Sequence, residues 1–267
     1  MSIKPSLAVI GGTGVYDPAV LDQVSTVVVD TPYGEVSCQT GLLEGRPVAF
    51  IPRHGRHHSI PPHLINYRAN IWALKKLGVQ QILATTAVGS LNAAMKPGDI
   101  VLPDQFLDFT KLRIPTFYEG GDRGVVHVDM TSPYCPTLRQ AIVAAAAKLE
   151  LPLHGSGCYV CTEGPRFETA AEIKAYAMLG GDLVGMTGVP EAGLAREAEI
   201  CYATISMVTN FAAGISSTPL THAEVVDTMK QNAANIRALL KQTILIATRT
   251  DECSCPHALR EFGGFKL

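Results

Sequence analysis

No stretch of about eighteen uninterrupted apolar residues occurs in this 267-residue chain, so no segment is suited to cross a bilayer as a helix. The opening Met1-Ser2-Ile3-Lys4-Pro5 lacks the apolar core of a secretory signal, which predicts a soluble, cytoplasmic protein with no membrane partner. Basic runs are missing too. The longest is Lys75-Lys76 and the net charge is -2, which leaves no field to hold a nucleic-acid backbone and favours a small-molecule partner. Seven cysteines, an odd number spread over a long chain, match a secreted disulfide framework poorly, so reduced thiols are expected. Cys158 and Cys161 lie in a strand-like run, where residues three apart face opposite ways and cannot easily close on one zinc. Cys253 and Cys255 are read as two reduced thiols near the C-terminus, with a strained local bridge as the other reading.

The nucleotide fingerprints are absent as well. Gly11-Gly12-Thr13-Gly14 follows an apolar run, but Asp17 stands where the dinucleotide motif needs its third glycine, and there is no G-x-x-x-x-G-K-[ST]. The segment can still form a nest of backbone N–H groups that binds an anion with help from the Thr13 hydroxyl, or simply a tight turn. Arg53-His54 offers a guanidinium fork suited to an oxyanion, and Thr86 with Ala87 offers a hydroxyl and a backbone donor at another strand end. The run His54-Gly55-Arg56-His57-His58 is a poor metal site, because its arginines repel a cation and no carboxylate is interleaved. No metal is expected, and His57 and His58 are read as loop histidines.

What is present is an alternation of apolar runs and helical periodicity. Residues 7–10, 48–52, 81–86, 155–162, 183–186 and 200–210 read as strands. Helices are expected over 66–77, 137–149 and 169–178, briefly from Pro190, and from the capping-box signature Thr221-His222-Ala223-Glu224 to about Ala247. This pattern predicts a single α/β domain over 1–250 with a mixed, largely parallel central sheet flanked by helices, followed by a tail at 251–267. Strands of such a sheet end in small and polar residues where ligands bind. Two segments fit that description best. Glu163-Gly164-Pro165-Arg166-Phe167-Glu168-Thr169 and Gly185-Met186-Thr187-Gly188-Val189-Pro190-Glu191 each set glycine or proline beside a hydroxyl, a carboxylate and an apolar side chain.

The ordered series IGGTG, PRHG, NYRANIWAL, TTAVGSL, PGDIV, EGPRFET and GMTGVPE, closed by the capped helix, resembles the 5′-methylthioadenosine phosphorylase and trimeric purine nucleoside phosphorylase family over roughly residues 7–247. The resemblance implies phosphorolysis, in which inorganic phosphate attacks C1′ of a purine ribonucleoside and releases the base with a pentose 1-phosphate. Phosphate is then a co-substrate and no cofactor is needed. By the same resemblance Thr13, Arg53, His54, Thr86, Ala87 and Thr187 hold phosphate, Met186 lies under the sugar and Phe167 stacks on the purine. On their own, Met186 and Phe167 read as ordinary core residues. The family also implies a homotrimer or a dimer of trimers, with His127 reaching a neighbour's sugar site; otherwise His127 is a surface loop histidine.

Three departures from the methylthioadenosine pattern set the expected substrate. Adenine-specific relatives carry an aspartate pair where this chain has Asn210 and Ala212, and an amide can both donate to a 6-oxo group and accept from N7-H. Glu168 replaces a small-hydroxyl pattern, and an ionised carboxylate accepts from N1-H of a 6-oxopurine; apart from the resemblance it is a helix-start carboxylate. His222 aligns with a histidine that binds the ribose 5′-OH, or is merely a first-turn residue. Val225 and Val226 beside it keep a methylthio pocket open. Asn210 and His54 are the expected catalytic groups. A 6-oxopurine nucleoside phosphorylase acting on inosine and guanosine is therefore expected, with S-methyl-5′-thioinosine phosphorylase as the alternative and 5′-methylthioadenosine phosphorylase behind it. From a different class, a nucleotide-binding redox or regulatory domain rests only on the glycine-rich turn.

Overall fold

The computed structural model describes residues 4–11, 21–55, 58–215, 222–250 and 252–267, with the backbone alone at 222–225. In chain order the elements begin β1 (Leu7–Gly11), β2 (Asp22–Val29), β3 (Val36–Leu43), β4 (Arg46–Pro52), α1 (Tyr67–Lys76) and β5 (Gln81–Ser90). They continue β6 (Ile100–Val101), β7 (Gln105–Phe109), α2 (Pro136–Lys148), β8 (Cys158–Thr162) and α3 (Ala170–Met178). Last come β9 (Leu183–Gly185), α4 (Glu191–Glu197), β10 (Cys201–Phe211) and α5 (His222–Ile246).

β5 is the spine of the sheet. Its first half runs parallel to β1, its length runs parallel to β10, and its end meets β9 antiparallel at Gly89 and Ser90. From β9 the sheet extends through β8 to β7, and on the other side from β1 through β4 to the β2–β3 hairpin. Among the described residues five of nine strand pairings are parallel, so the sheet is mixed as expected. The antiparallel pairings come mostly from strands that the sequence hides. β2 is an edge strand exposed along most of its length, and β6 spans two residues, so neither produces a clear apolar period.

β1 is buried at every residue because it has parallel neighbours on both edges and helices on both faces. Its alternation separates two cores. Leu7 and Val9 join residues of α2 and α5, while Ala8 and Ile10 join α1 and α4. Fully burying each such Leu or Ile contributes about 1.5–3 kcal/mol. Local signals fix the helix starts. Asn66 caps α1 by accepting from the Ala69 N–H at 3.1 Å, and Thr169 and Glu172 form a reciprocal capping box on α3. Thr221 of the other capping-box signature lies outside the described residues.

The C-terminal segment is folded onto the domain. Phe265 packs its ring 5.1 Å from Trp72 and 5.3 Å from Phe117, and Glu199 accepts the N–H groups of Leu259 and Phe265. No helix among the described residues is long and apolar enough to cross a membrane.

Candidate active site

A cavity of about 380 Å³ opens where β4, β5, β9 and β10 end. Arg53, His54, Thr86, Ala87 and Thr187 line it together with Phe167, Glu168, Met186, Asn210 and Ala212. Ten residues singled out from five separate segments of sequence thus converge on one space. Thr13 lies outside the described residues, as do the side chains of His222 and Val225. His127 is exposed on the loop before α2 and does not line the cavity of its own chain.

One end of the cavity is cationic and rich in hydroxyls. Arg53 follows directly on β4, tied down by its N–H to the Gly11 carbonyl at 3.1 Å. Its side chain is fully buried, with Nε and Nη2 donating to the two carboxylate oxygens of Glu191 at 2.8 and 2.7 Å and Nη1 donating to the Thr85 carbonyl at 2.8 Å. The fork that sequence reserves for an oxyanion is therefore filled by Glu191, which leaves one N–H on each of Nη1 and Nη2. Burial alone would lower the Arg53 pKa, but Glu191 more than offsets it and the guanidinium is held charged. Thr86 shares a hydrogen bond of 2.8 Å with the Ser206 hydroxyl on β10, and the Thr187 N–H donates to the Tyr159 hydroxyl at 3.3 Å.

His54 has its Nδ1 2.9 Å from the Ile60 carbonyl, which makes Nδ1 the protonated nitrogen and leaves Nε2 as an acceptor. Burial lowers its pKa from 6.5 to about 4; the Ile60 hydrogen bond opposes that fall, while Arg53 and His58 deepen it. The unfolded chain takes up this proton near pH 6.5 and the folded chain only near pH 4. Its contribution to stability is thus complete above about pH 6.5 and lost as pH falls toward about 4. Thermal midpoints measured across that window are expected to fall with acidification in the wild type and to fall less in His54→Gln. Parallel curves would show that the imidazole is not held neutral by the fold.

Another part of the cavity is lined by an aromatic ring, a carboxylate and an amide. Phe167, 42% exposed, lines the cavity at its rim. Glu168 accepts from the Thr162 hydroxyl through one carboxylate oxygen at 2.6 Å, which leaves the other available. Asn210 owes its position to a bulge in β10. Val208 pairs with Val88 and Asn210 with Gly89, so Thr209 is the extra residue and both Thr209 and Asn210 reach the cavity. The Thr209 hydroxyl donates to Asn210 Oδ1 at 2.7 Å and Asn210 Nδ2 donates to the Phe211 carbonyl at 2.9 Å, which fixes which end of the amide is which. One N–H and one lone pair of that amide remain for a ligand.

The two glycine-rich motifs interlock beneath this part. A Cβ on Gly164, whose φ is +65°, would sit 2.6 Å from the Met186 sulfur, and one on Gly185 would sit 2.2 Å from the Tyr159 hydroxyl. Arg113 ties the two segments together. It donates to the carbonyls of Thr162 and Glu163 on one side and Val189 on the other, and is 2% exposed at its side chain. Neither Arg113 nor Glu191 was assigned a role from sequence. Glu191 sits in GMTGVPE, four residues past Thr187, but nothing in the spacing shows that its partner is Arg53.

The phosphorylase superfamily model matches residues 6–245. The chain belongs to that superfamily. A 6-oxopurine nucleoside phosphorylase from Pyrococcus furiosus is 55% identical over 262 residues, covering 96% of this chain and 98% of that protein. A probable S-methyl-5′-thioinosine phosphorylase from Methanothermobacter thermautotrophicus is 49% identical over 258 residues, covering 95% of this chain and 89% of that protein. A solved methylthioadenosine phosphorylase from an antarctic soil metagenomic library superimposes with a TM-score of 0.90 at 39% identity, covering 97% of this chain and 92% of that one.

Proposed function

We propose that this superfamily member is a purine nucleoside phosphorylase that cleaves 6-oxopurine ribonucleosides with inorganic phosphate, giving the free base and ribose 1-phosphate. The observation that carries this reading is the fixed orientation of the Asn210 amide beside the Glu168 carboxylate. A 6-oxopurine offers an acceptor at O6 and a donor at N1. Adenine offers a donor at C6 and a lone pair at N1, which a carboxylate repels. A site that pairs buried polar groups in this way can discriminate by about 10⁴-fold.

In this reading phosphate is held by the free N–H groups of Arg53 and by the hydroxyls of Thr86 and Thr187, and its own P–OH donates to His54 Nε2. A phosphate oxygen attacks C1′ as the C1′–N9 bond breaks, and the bonding pair moves onto the purine. The anion next to C1′ also stabilises the positive charge that develops on the sugar. Asn210 accommodates the electron density gathering on the base. No cofactor enters these steps, since phosphate is consumed as a co-substrate.

Comparing inosine, guanosine, methylthioinosine, adenosine and methylthioadenosine at equal enzyme concentration tests the reading. Inosine and guanosine should lead, and no base should be released without phosphate. The 5′ end separates this function from its closest alternative, because a histidine beside C5′ suits a hydroxyl and leaves a methylthio group poorly matched. His222→Met is expected to move preference from inosine toward methylthioinosine by about 10-fold or more. A wild type that already prefers methylthioinosine strongly would reject the ribose assignment while keeping the base assignment. We further propose that the enzyme works in the cytoplasm as a closed trimer or dimer of trimers, in which the exposed His127 covers a neighbour's sugar site.

A further inference from the structure

The C-terminal segment completes a cluster that no single part of the sequence contains. Cys135 precedes α2, Cys201 begins β10, and Cys253 and Cys255 arrive with the final segment. All four thiols are buried, at 1%, 1%, 4% and 1% exposure, and their sulfurs lie within 4.8 Å of one another. Cys253 Sγ is 3.5 Å from both Cys135 Sγ and Cys201 Sγ. Four ligands at about 2.3 Å around a tetrahedral ion stand about 3.8 Å apart, so the observed spacing is that of a zinc tetrathiolate.

We propose that Cys135, Cys201, Cys253 and Cys255 bind one zinc ion, which fastens the C-terminal segment to the start of β10 and the start of α2. Binding transfers the four thiol protons to solvent and forms four Zn–S bonds, with no change of oxidation state. The thiolate ligand set selects soft or borderline ions over magnesium or calcium. Surrounding groups fit the resulting negative charge. The Leu138 N–H donates to Cys135 Sγ at 3.5 Å, and the field of Arg196 reaches Cys255. The site is structural rather than catalytic, because nine residues of β10 place it roughly 30 Å from Asn210.

A disulfide demands one exclusive partner at bonding distance, whereas Cys253 stands equally far from two. The test separates the two chemistries. The full chain is produced in zinc-supplemented medium, purified under a non-chelating reductant, and assayed for metal by mass spectrometry. About one zinc per chain is expected in the wild type, and about none in Cys253→Ser combined with Cys255→Ser. Cobalt(II) in place of zinc should give the visible absorption of a tetrahedral thiolate complex. The double variant should keep its phosphorolysis rate under mild conditions and lose thermal midpoint. Metal-free wild type with four thiols open to titration would overturn the proposal. So would an intact mass short by two hydrogens for each of two disulfides.

Discussion

Glu191→Ala is expected to lower the unfolding free energy by about 3–5 kcal/mol, because it leaves the Arg53 guanidinium charged and unpartnered inside the domain. Arginine cannot escape by losing its proton, and both fork bonds vanish together. Tyr202, whose hydroxyl donates to Glu191 at 2.8 Å and accepts from Thr204 at 3.0 Å, loses its acceptor in the same step. At a shift of about 2–4 °C per kcal/mol, the thermal midpoint should drop by about 10 °C. Phosphate binding should suffer as well, since the N–H groups left for the anion point correctly only while Glu191 holds the rest of the fork. Replacing both partners, as in Arg53→Met with Glu191→Leu, should recover much of the stability and none of the phosphorolysis. If the single variant melts within a degree or two of wild type, Glu191 does not clamp Arg53 in solution.

That clamp marks the limit of what the sequence could tell. The strands β1, β4, β5 and β10 announce themselves as apolar runs because each is covered on both faces, and α1 announces itself through apolar residues at helical spacing. The residues around the cavity follow from the strand ends and the shared motifs. The chain does not reveal long-range pairing of charges. Arg53 and Glu191 are 138 positions apart, and Arg113 joins two motifs across 49 and 76 positions. Nor does it reveal the bulge that turns Asn210 toward the cavity, since Thr209 looks like any strand residue until β5 is laid beside it. Of the four clustered cysteines only Cys253 and Cys255 stood out in the sequence, as a pair near the C-terminus, because their meeting with Cys135 and Cys201 depends on where the last segment docks.

The bulge also decides the outcome of Asn210→Asp, which is expected to reduce kcat/KM on inosine by about 10² to 10³ and on adenosine far less. In the wild type Nδ2 stands 2.9 Å from the Phe211 carbonyl, and the oxygen that replaces it meets that carbonyl as a second acceptor. The carboxylate must then turn or take up a proton, and the donor that served O6 is gone either way. A 6-amino group, by contrast, finds a new acceptor at the same place. Adenosine still faces Glu168 at N1, so the variant should become a poor enzyme with relaxed preference rather than a good adenosine phosphorylase. Glu168→Ser added to Asn210→Asp should shift the ratio further toward adenosine, with the two changes coupled because both touch one base. Gly89 must stay as it is in these variants, since a Cβ there would lie 3.2 Å from Asn210 Nδ2. Steady-state kinetics on both nucleosides, with the thermal midpoint as a control for folding, measure the effect. Equal losses on inosine and adenosine in a folded Asn210→Asp protein would mean that the amide holds the loop and does not read the base.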